Sequence, residues 1–333
     1  MINKETISEW RDNVIENLNF ATFDFLLKDI EKENPTFTPK FVKTAIKNIF
    51  YALTPEKYYN WITKYNIPNK THSLGIICAG NVPAVSFFDV FMGLVTNHEV
   101  YVKLSHSDTK LIPYLFEQLF NFIPEMRDRI KFVESIHSVK AEKIIATGSN
   151  NANRYFLQYF ADKKAVLRHD RKSIAVINHD ITENELNALA NDIFLYFGLG
   201  CRNVSLILLP HEFSLNKINA AFKHYSWISD NLYYKEIINY YRAYFSLMFE
   251  DFIDNDFYLL RERLDLYSPI SVINYAYYND ISQVENFIKA NKENLQCIVG
   301  NYSLCNTTFG KTQKPELSDY PDDVDIMRFL TES

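Results

Sequence analysis

From residue 72 onward, short apolar segments alternate with segments of helical periodicity, and this alternation limits the possible folds more than any other feature of the chain. The predicted strands lie at 73–78, 99–104, 130–133 and 143–146, and the predicted helices at 82–95, 110–122 and 152–160. Strands separated by helical crossovers pair in parallel, and their connections are right-handed. The sequence therefore predicts an α/β fold with a mostly parallel sheet and helices on both faces.

A second alternating block follows the first. Its predicted strands lie at 173–177, 204–209, 270–275 and 296–299, its predicted helices at 183–197 and 281–290, and residues 213–263 are predicted to be helical and rich in aromatic residues. A chain of 333 residues is long for one core, so two blocks predict two Rossmann-like domains, at 71–172 and 173–303. Residues 1–70 have helical periodicity, and the tail 304–333 is predicted to return to the body.

Composition excludes several classes of function. The formal net charge is −6 and no dense Lys/Arg patch occurs, which argues against a nucleic-acid-binding protein. The four cysteines and the scattered histidines have no CxxC or metal-ligand spacing, so no metal site is predicted, and this pattern fits a reduced cytoplasm. No apolar run is long enough for a membrane span, and the first residues do not resemble a signal peptide. We therefore expect a cytoplasmic enzyme.

Glycine is scarce, with 8 residues in the whole chain, yet Gly198 and Gly200 closely precede Cys201 and the apolar run 204–209. A sequence this poor in glycine uses it where backbone conformation or close approach requires it. Here the glycines would form a tight turn that presents a thiol at the mouth of a strand. The pattern favours Cys201 as a nucleophile, although cysteine is also a common small residue of protein cores.

The two common nucleotide-binding fingerprints, GxGxxG and GxxxxGK[ST], are absent. Three strand ends could bind a dinucleotide instead: Gly80–Asn81–Val82–Pro83, Thr147–Gly148–Ser149 and Lys103. The second precedes a helix whose N-terminal amides and dipole suit a pyrophosphate. Ser149 could equally be an ordinary N-cap.

Taken in order, these segments resemble the aldehyde dehydrogenase superfamily, and within it the acyl-CoA reductases related to the fatty acid reductase of bacterial bioluminescence. The resemblance runs from about residue 72 to the C-terminus. Its motifs are Ala79–Pro83, Val102–Ser105, Thr147–Ser149, Gly198–Asn203, Asp265–Ile270 and Asp319–Asp325. The last of these is typical of the acyl-CoA reductase branch.

The resemblance implies a role for particular residues. Asn81 and the backbone N–H of Cys201 would form the oxyanion hole, Gly148 and Ser149 would hold the pyrophosphate, and Asp265 the nicotinamide ribose. Lys103 would hold the adenine ribose, next to Ser105 and His106. NAD-preferring relatives often carry a glutamate at position 106, which repels a 2′-phosphate, so His106 favours NADPH over NADH.

Two departures from the family pattern bear on chemistry. Arg168 stands where hydrolytic aldehyde dehydrogenases carry a general-base glutamate, and a guanidinium cannot act as that base. This argues against hydrolytic release and for exchange with coenzyme A. Asp265 is one methylene shorter than the family's glutamate, which puts its contact with the ribose in question.

The predicted function is the reduction of an acyl-CoA thioester to an aldehyde with NADPH through an acyl group on Cys201. Arg202, Arg168 and cofactor dipoles are candidates for activating the thiol. The alternatives are a coenzyme A-acylating aldehyde dehydrogenase on short-chain substrates, a nicotinamide-independent thiol acyltransferase or thioesterase, and an inactive nucleotide-binding relative. The resemblance to the superfamily also implies a homo-oligomer. The sequence does not identify a protein that would deliver the acyl group.

Two segments stay open at this stage. The aromatic residues of 225–263 could form either core or an acyl-chain tunnel. Residues 1–70 could cover the coenzyme A entry or contribute to an oligomer contact.

Overall fold

The computed structural model describes residues 2–332, which form two compact units. The first unit consists of the chain up to Asp170 and of the segment that begins at Lys314, and the second unit runs from Arg171 to Gln313. Within residues 2–332 no helix is both long enough and apolar enough to cross a membrane. The assignment of cofactor binding and catalysis to separate domains stays a prediction.

Four helices open the first unit, which confirms the helical prediction for this region. They are α1 (Lys4–Asn17), α2 (Ala21–Glu33), α3 (Pro39–Ala52) and α4 (Pro55–Ile62). Asn3, Thr38 and Thr54 cap three of them, each side chain accepting a hydrogen bond from a backbone N–H of the first turn. Such caps satisfy amides that have no partner inside the helix.

The N-terminal helices build the core of the first unit around Trp10. Its indole is fully buried and donates a hydrogen bond to the carbonyl of Leu115 at 3.1 Å. Its ring lies within 5.0–6.3 Å of the rings of Phe50, Phe87, Phe91 and Phe116. Burying aromatic surface of this extent is a major stabilising term, so these helices are integral to the unit's core.

The first unit contains a five-stranded parallel sheet with the order β3-β2-β1-β4-β5. The strands are β1 (Ser73–Ile77), β2 (Glu99–Lys103), β3 (Ile130–Phe132), β4 (Lys143–Thr147) and β5 (Lys164–Arg168), and the crossover helices are α5 (Phe87–Val95), α6 (Leu111–Phe120) and α7 (Asn150–Tyr159). The predicted parallel sheet is confirmed, but β5 was not predicted. The chain leaves β1 in one direction and returns on its other side as β4, which makes a topological switch point between them.

The helix predicted over 82–95 begins only at Phe87. Ala84 has φ of +53°, and its N–H donates to the buried carboxylate of Asp108 at 2.8 Å. A left-handed residue cannot lie inside a right-handed helix, so residues 80–86 form a loop. Pro83 is therefore a loop residue and not the first residue of a helix.

The second unit contains a six-stranded sheet with the order β11-β6-β7-β10-β9-β8, parallel except for the β8–β9 pair. The strands are β6 (Lys172–Val176), β7 (Val204–Pro210), β8 (Ile253–Asp254), β9 (Leu259–Glu262), β10 (Val272–Tyr278) and β11 (Leu295–Gly300), and the helices are α8 (Glu183–Phe194), α9 (Leu215–Phe222), α10 (Leu232–Leu247) and α11 (Ile281–Ala290). Capping boxes start α8, at Thr182 and Glu185, and α11.

The prediction that residues 213–263 are helical is wrong after Leu247, because β8 and β9 follow α10. Aromatic residues are favoured in strands and also occur in buried helices, so their abundance in this segment does not distinguish a helix from a strand. Tyr234, Ile238 and Phe245 of α10 are buried, while Tyr240 and Leu247 are exposed. The buried residues of α10 contribute to the core of this unit.

The last part of the chain packs in the first unit and ends in α12 (Ile326–Thr331). The ammonium of Lys143, at the start of β4, donates to three carbonyls at that helix's C-terminal end, those of Phe329, Leu330 and Glu332, at 2.8–2.9 Å. Tyr320 accepts a hydrogen bond from the indole of Trp61 at 2.8 Å. A cation at a helix C-terminus satisfies carbonyls that lack helical partners.

Candidate functional site

The predicted cofactor-binding residues of the first unit all lie at one edge of its sheet. Because the strands are parallel, the segments that follow β1, β2, β4 and β5 leave from the same, carboxyl edge. The edge therefore carries Asn81, Lys103, Ser105 and His106, and across the switch point Gly148 and Ser149. Ligands of open α/β sheets bind at this edge, at such a switch point.

Gly80 allows the loops after β1 and β2 to touch. A Cβ atom at this position would lie only 2.6 Å from the Cβ of Ser105. The hydroxyl of Ser105 accepts a hydrogen bond from the N–H of Ser107, and its carbonyl accepts from the N–H of Asp108. Ser105 thus closes the turn that follows Lys103.

Asp108, in the loop after β2, holds that loop and the loop after β1 in place through hydrogen bonds from backbone N–H groups. Its side chain is buried and accepts hydrogen bonds from the N–H groups of Ala84 and Leu111 at 2.8 and 3.4 Å. Burial raises the pKa of this carboxyl to about 6. Asp108 is a structural residue of the edge that sequence analysis did not select.

The turn before α7 brings the start of that helix close to the end of β4. Ser149 caps the helix by accepting from the N–H of Ala152 at 3.3 Å. A Cβ on Gly148 would lie 2.8 Å from that of Ala152, so only glycine lets the helix start so close to β4. The cap occupies the third amide of the helix, and the first amides have no intrahelical acceptor. Ser149 and His106 are exposed, and Gly148 and Lys103 are half-buried.

Arg168 has a structural partner inside the first unit. Its guanidinium donates twice to the carboxylate of Asp89, at 2.7 and 2.9 Å, and both side chains are only 7% exposed. Such a bidentate pair is geometrically specific and strong. Since the guanidinium is always protonated and is held by Asp89, Arg168 cannot act as the general base that hydrolysis requires.

Cys201 lies in a tight turn at the amino edge of the second sheet. The N–H of Asn203 donates to the carbonyl of Gly200 at 3.0 Å, so Cys201 and Arg202 are the central residues of a β-turn that leads into β7. The helix predicted to reach residue 197 ends at Phe194, because Tyr196, Phe197 and Gly198 have φ of +57°, +55° and +73°. This left-handed run turns the chain from α8 towards Cys201.

The side chain of Asn203 attaches the turn to α8. Its amide nitrogen lies within hydrogen-bond distance of the carbonyls of Asp192, Ile193 and Leu195, at 2.9–3.3 Å, and its amide oxygen accepts from the N–H of Gly200 at 2.9 Å. Asn203 is buried. Carbonyls at a helix end otherwise lack partners, so one side chain both caps α8 and closes the turn.

Two further contacts fix the surroundings of Cys201. The fully buried hydroxyl of Ser173 donates to the carbonyl of Cys201 at 2.9 Å and accepts from the N–H of Cys297 at 3.0 Å. The guanidinium of Arg202 lies 3.6 Å from the sulfur of Cys297. Arg202, a candidate activator of Cys201, is thus directed at a second thiol.

Asp265 lies at the same amino edge as Cys201, on the segment that leads into β10. Its carboxylate accepts from the N–H of Tyr267 at 3.0 Å and lies 3.4 Å from the guanidinium of Arg263. Ser205, the second residue of β7, donates to the carbonyl of Leu266 at 2.6 Å. The structure therefore brings the Cys201 and Asp265 segments together on adjacent strands.

A cavity of about 30 Å³ lies beside the turn at 200–203, lined by Phe197, Gly198, Tyr234 and residues 268–273. That is room for about two water molecules. The cavity is thus water-sized, and the ring of Tyr234 forms part of its wall.

Sequence analysis missed Asp89, Asp108 and Asn203. The pairing of Asp89 with Arg168 joins residues 79 positions apart, which no local pattern indicates. Asn203 did carry a signal, because a turn-forming residue between two glycines and an apolar strand is a natural side-chain cap.

Comparison with known proteins agrees with this architecture. Residues 62–220, just under half of the chain, match the family model described as acyl-CoA reductase (LuxC). No curated protein sequence matches the chain.

Solved structures with a similar fold include aldehyde dehydrogenases. An aldehyde dehydrogenase of Mycobacterium tuberculosis complexed with NAD+ is 15% identical, with a TM-score of 0.61 over 89% of this chain and 72% of the relative. Aldehyde dehydrogenase 21 of Physcomitrella patens, in complex with the reaction product succinate, is 10% identical, with a TM-score of 0.68 over 97% and 82%. Glyceraldehyde-3-phosphate dehydrogenase of Methanocaldococcus jannaschii, complexed with NADP, is 14% identical, with a TM-score of 0.59 over 90% and 81%.

The structural likeness confirms the predicted aldehyde dehydrogenase-like fold, with two α/β units and a helical N-terminal segment. The family match covers the turn at 200–203 and the strand ends of the first sheet. Residues 62–220 of this chain are thus similar to the LuxC acyl-CoA reductases, and the chain has an aldehyde dehydrogenase-like fold.

Proposed function

We propose that this protein reduces an acyl-CoA thioester to an aldehyde through a covalent acyl group on Cys201, with NADPH as the preferred cofactor. The observation that carries the proposal is the turn at 200–203. It presents a half-buried thiol ahead of β7 and is held by Asn203 and Ser173. The family match to acyl-CoA reductases supplies the substrate class.

The first half of the reaction is an acyl transfer. The thiolate of Cys201 attacks the thioester carbonyl, a C–S bond forms, and the bond to coenzyme A breaks, with the leaving thiolate taking up a proton. Covalent catalysis divides one difficult step into two easier ones. The backbone N–H of Cys201 is a donor for the oxyanion, and Asn81 as the second donor rests on the resemblance.

The residues at the carboxyl edge of the first sheet fit a dinucleotide. The first amides of α7 and the helix dipole suit a pyrophosphate, and Lys103 and Ser105 offer a cation and a hydroxyl beside it. A reduced nicotinamide, when bound, supplies the hydride that turns the acyl-cysteine into a thiohemiacetal. Collapse of that thiohemiacetal on Cys201 releases the aldehyde and regenerates the thiolate.

The choice of NADPH rests on His106. This side chain is exposed at the turn after β2 and carries no negative charge that would repel a 2′-phosphate. Relatives of the same fold are complexed with NAD+ or with NADP, which supports a nicotinamide cofactor of either kind. We therefore expect NADPH to be favoured and NADH to be accepted more weakly.

Absorbance at 340 nm tests the proposal, with a long-chain acyl-CoA and acetyl-CoA assayed in parallel against NADPH and NADH. We expect acyl-dependent loss of NADPH and formation of aldehyde, and no turnover by Cys201→Ala. Cys305→Ala is the matched control, because Cys305 is a half-buried thiol of the same unit. Release of coenzyme A without loss of NADPH would instead identify an acyltransferase or thioesterase.

A further inference from the structure

The orientation of the Gly200–Cys201 peptide is set by one residue, Asn203. The backbone N–H of Asn203 donates to the carbonyl of Gly200 at 3.0 Å, and its side-chain oxygen accepts from the N–H of Gly200 at 2.9 Å. The two peptide groups that flank Gly200 are therefore both held by the same residue.

This arrangement determines where the N–H of Cys201 points. In a planar trans peptide the C=O and the N–H point in opposite directions. Because the carbonyl of Gly200 points across the turn to Asn203, the N–H of Cys201 points away from the interior of the turn. An oxyanion donor must be aimed in advance at the place where charge develops.

The turn that carries Cys201 is itself fixed to rigid elements of the second unit. The amide nitrogen of Asn203 reaches three carbonyls at the end of α8, including that of Asp192. The buried carboxylate of Asp192 accepts hydrogen bonds from Gly310 and Thr312 at 2.6–3.1 Å. Loss of the Asn203 side chain would detach Gly200 from α8 but would leave the backbone N–H of residue 203 able to bond the carbonyl of Gly200.

We propose that Asn203 is a positioning residue for acyl transfer. Its side chain ties Gly200 to the end of α8, and its backbone N–H holds the carbonyl of Gly200, so that together they keep the N–H of Cys201 in the direction of the oxyanion. The proposal rests on the proposed function of Cys201. It separates two properties of the site: the reactivity of the thiolate, and the stabilisation of a tetrahedral oxyanion.

Two reactions of Cys201 in the full chain test the proposal. Acylation by saturating acyl-CoA in a single turnover passes through an oxyanion, whereas alkylation by iodoacetamide does not. Both need the thiolate, so the ratio of their rates cancels any change in thiol pKa. Both products are followed by mass analysis of the peptide that contains Cys201.

We expect Asn203→Ala to lower the ratio of acylation to alkylation about 10- to 100-fold, since loss of an oxyanion donor costs roughly 10²–10³ in kcat elsewhere. Asn203→Ser removes the same link between Gly200 and α8 but leaves a smaller cavity and a hydroxyl that can donate to one of the α8 carbonyls, so its ratio should fall in the same direction. Tyr278→Phe is the control. It removes a buried hydrogen bond to the carbonyl of Ile177 at the opposite edge of the same sheet, and should leave the ratio unchanged.

A parallel fall of both rates in Asn203→Ala, or an unchanged ratio, would overturn the proposal by showing a general structural role or none. If Asn203→Ala does not fold, Asn203→Ser decides, and an unchanged ratio in that variant would overturn the proposal. A wild-type protein that is alkylated at Cys201 but never acylated would refute the proposed function itself, and this inference with it.

Discussion

The buried pair of Asp89 and Arg168 should be the most sensitive electrostatic contact of the first unit. Both side chains are 7% exposed and are joined by two hydrogen bonds. Arg168→Met removes the cation and leaves a buried carboxylate without its charge partner, which typically costs about 3–5 kcal/mol. That is a large part of the roughly 5–15 kcal/mol by which domains are stable.

The expected fall in melting temperature is about 6–20 °C, because 1 kcal/mol corresponds to roughly 2–4 °C in a unit of this size. Adding Asp89→Asn to Arg168→Met should recover most of the loss, since no buried charge then remains unpaired. Thermal unfolding is followed by tryptophan fluorescence, because Trp10 and Trp61 both lie in the first unit.

Arg127→Met is the matched control, since Arg127 pairs with Glu117 while both are about half exposed. Exposed pairs contribute about 0–1 kcal/mol, so its melting temperature should change little. The reasoning would be refuted if Arg168→Met lost less than about 1 kcal/mol. It would also be refuted if the double variant were no more stable than Arg168→Met alone.

Two further changes test the edge of the first sheet. Burial raises the pKa of Asp108 to about 6 in the folded protein, above the value of about 3.9 expected in the unfolded chain. Protonation of Asp108 therefore favours the folded state, and this contribution to stability is complete below about pH 4 and is lost as the pH rises through about 6. Relative to Asp108→Asn, the wild type should therefore lose about 2–3 kcal/mol between pH 4 and pH 7 in urea unfolding, and a pH-independent difference would contradict this. Gly80→Ala should destabilise the protein by about 1–3 kcal/mol because its Cβ would overlap Ser105, and Ser105→Gly should restore the loss in the same assay; failure of that rescue would show that the strain lies elsewhere.

Local patterns predicted the architecture wherever strands were apolar and crossovers periodic. The strand at 99–103 and the helix at 281–290 follow directly from such patterns. β5 was missed because only three apolar residues stand between Lys164 and Arg168. The strands after α10 were missed because aromatic residues are compatible with both helix and strand.

The site was predictable to the extent that it depends on position along the chain. Cys201 precedes a strand and Ser149 begins a helix, as their neighbours in the sequence indicate. What holds them in place is long-range. Asp108 accepts a hydrogen bond from Ala84, which is 24 residues away in the sequence, and Asp89 pairs with Arg168, which is 79 residues away. The left-handed run through Tyr196 and Phe197 was also unforeseeable, because bulky residues rarely adopt positive φ.

The most direct test of the central claim is the mass of the protein after it is mixed with acyl-CoA in the absence of nucleotide. The account predicts one acyl group, located on the peptide that contains Cys201, lost on addition of NADPH with formation of aldehyde, and absent from Cys201→Ala. An acyl group on Cys305 or on another residue, or no acyl group on a folded protein whose Cys201 reacts with iodoacetamide, would contradict it.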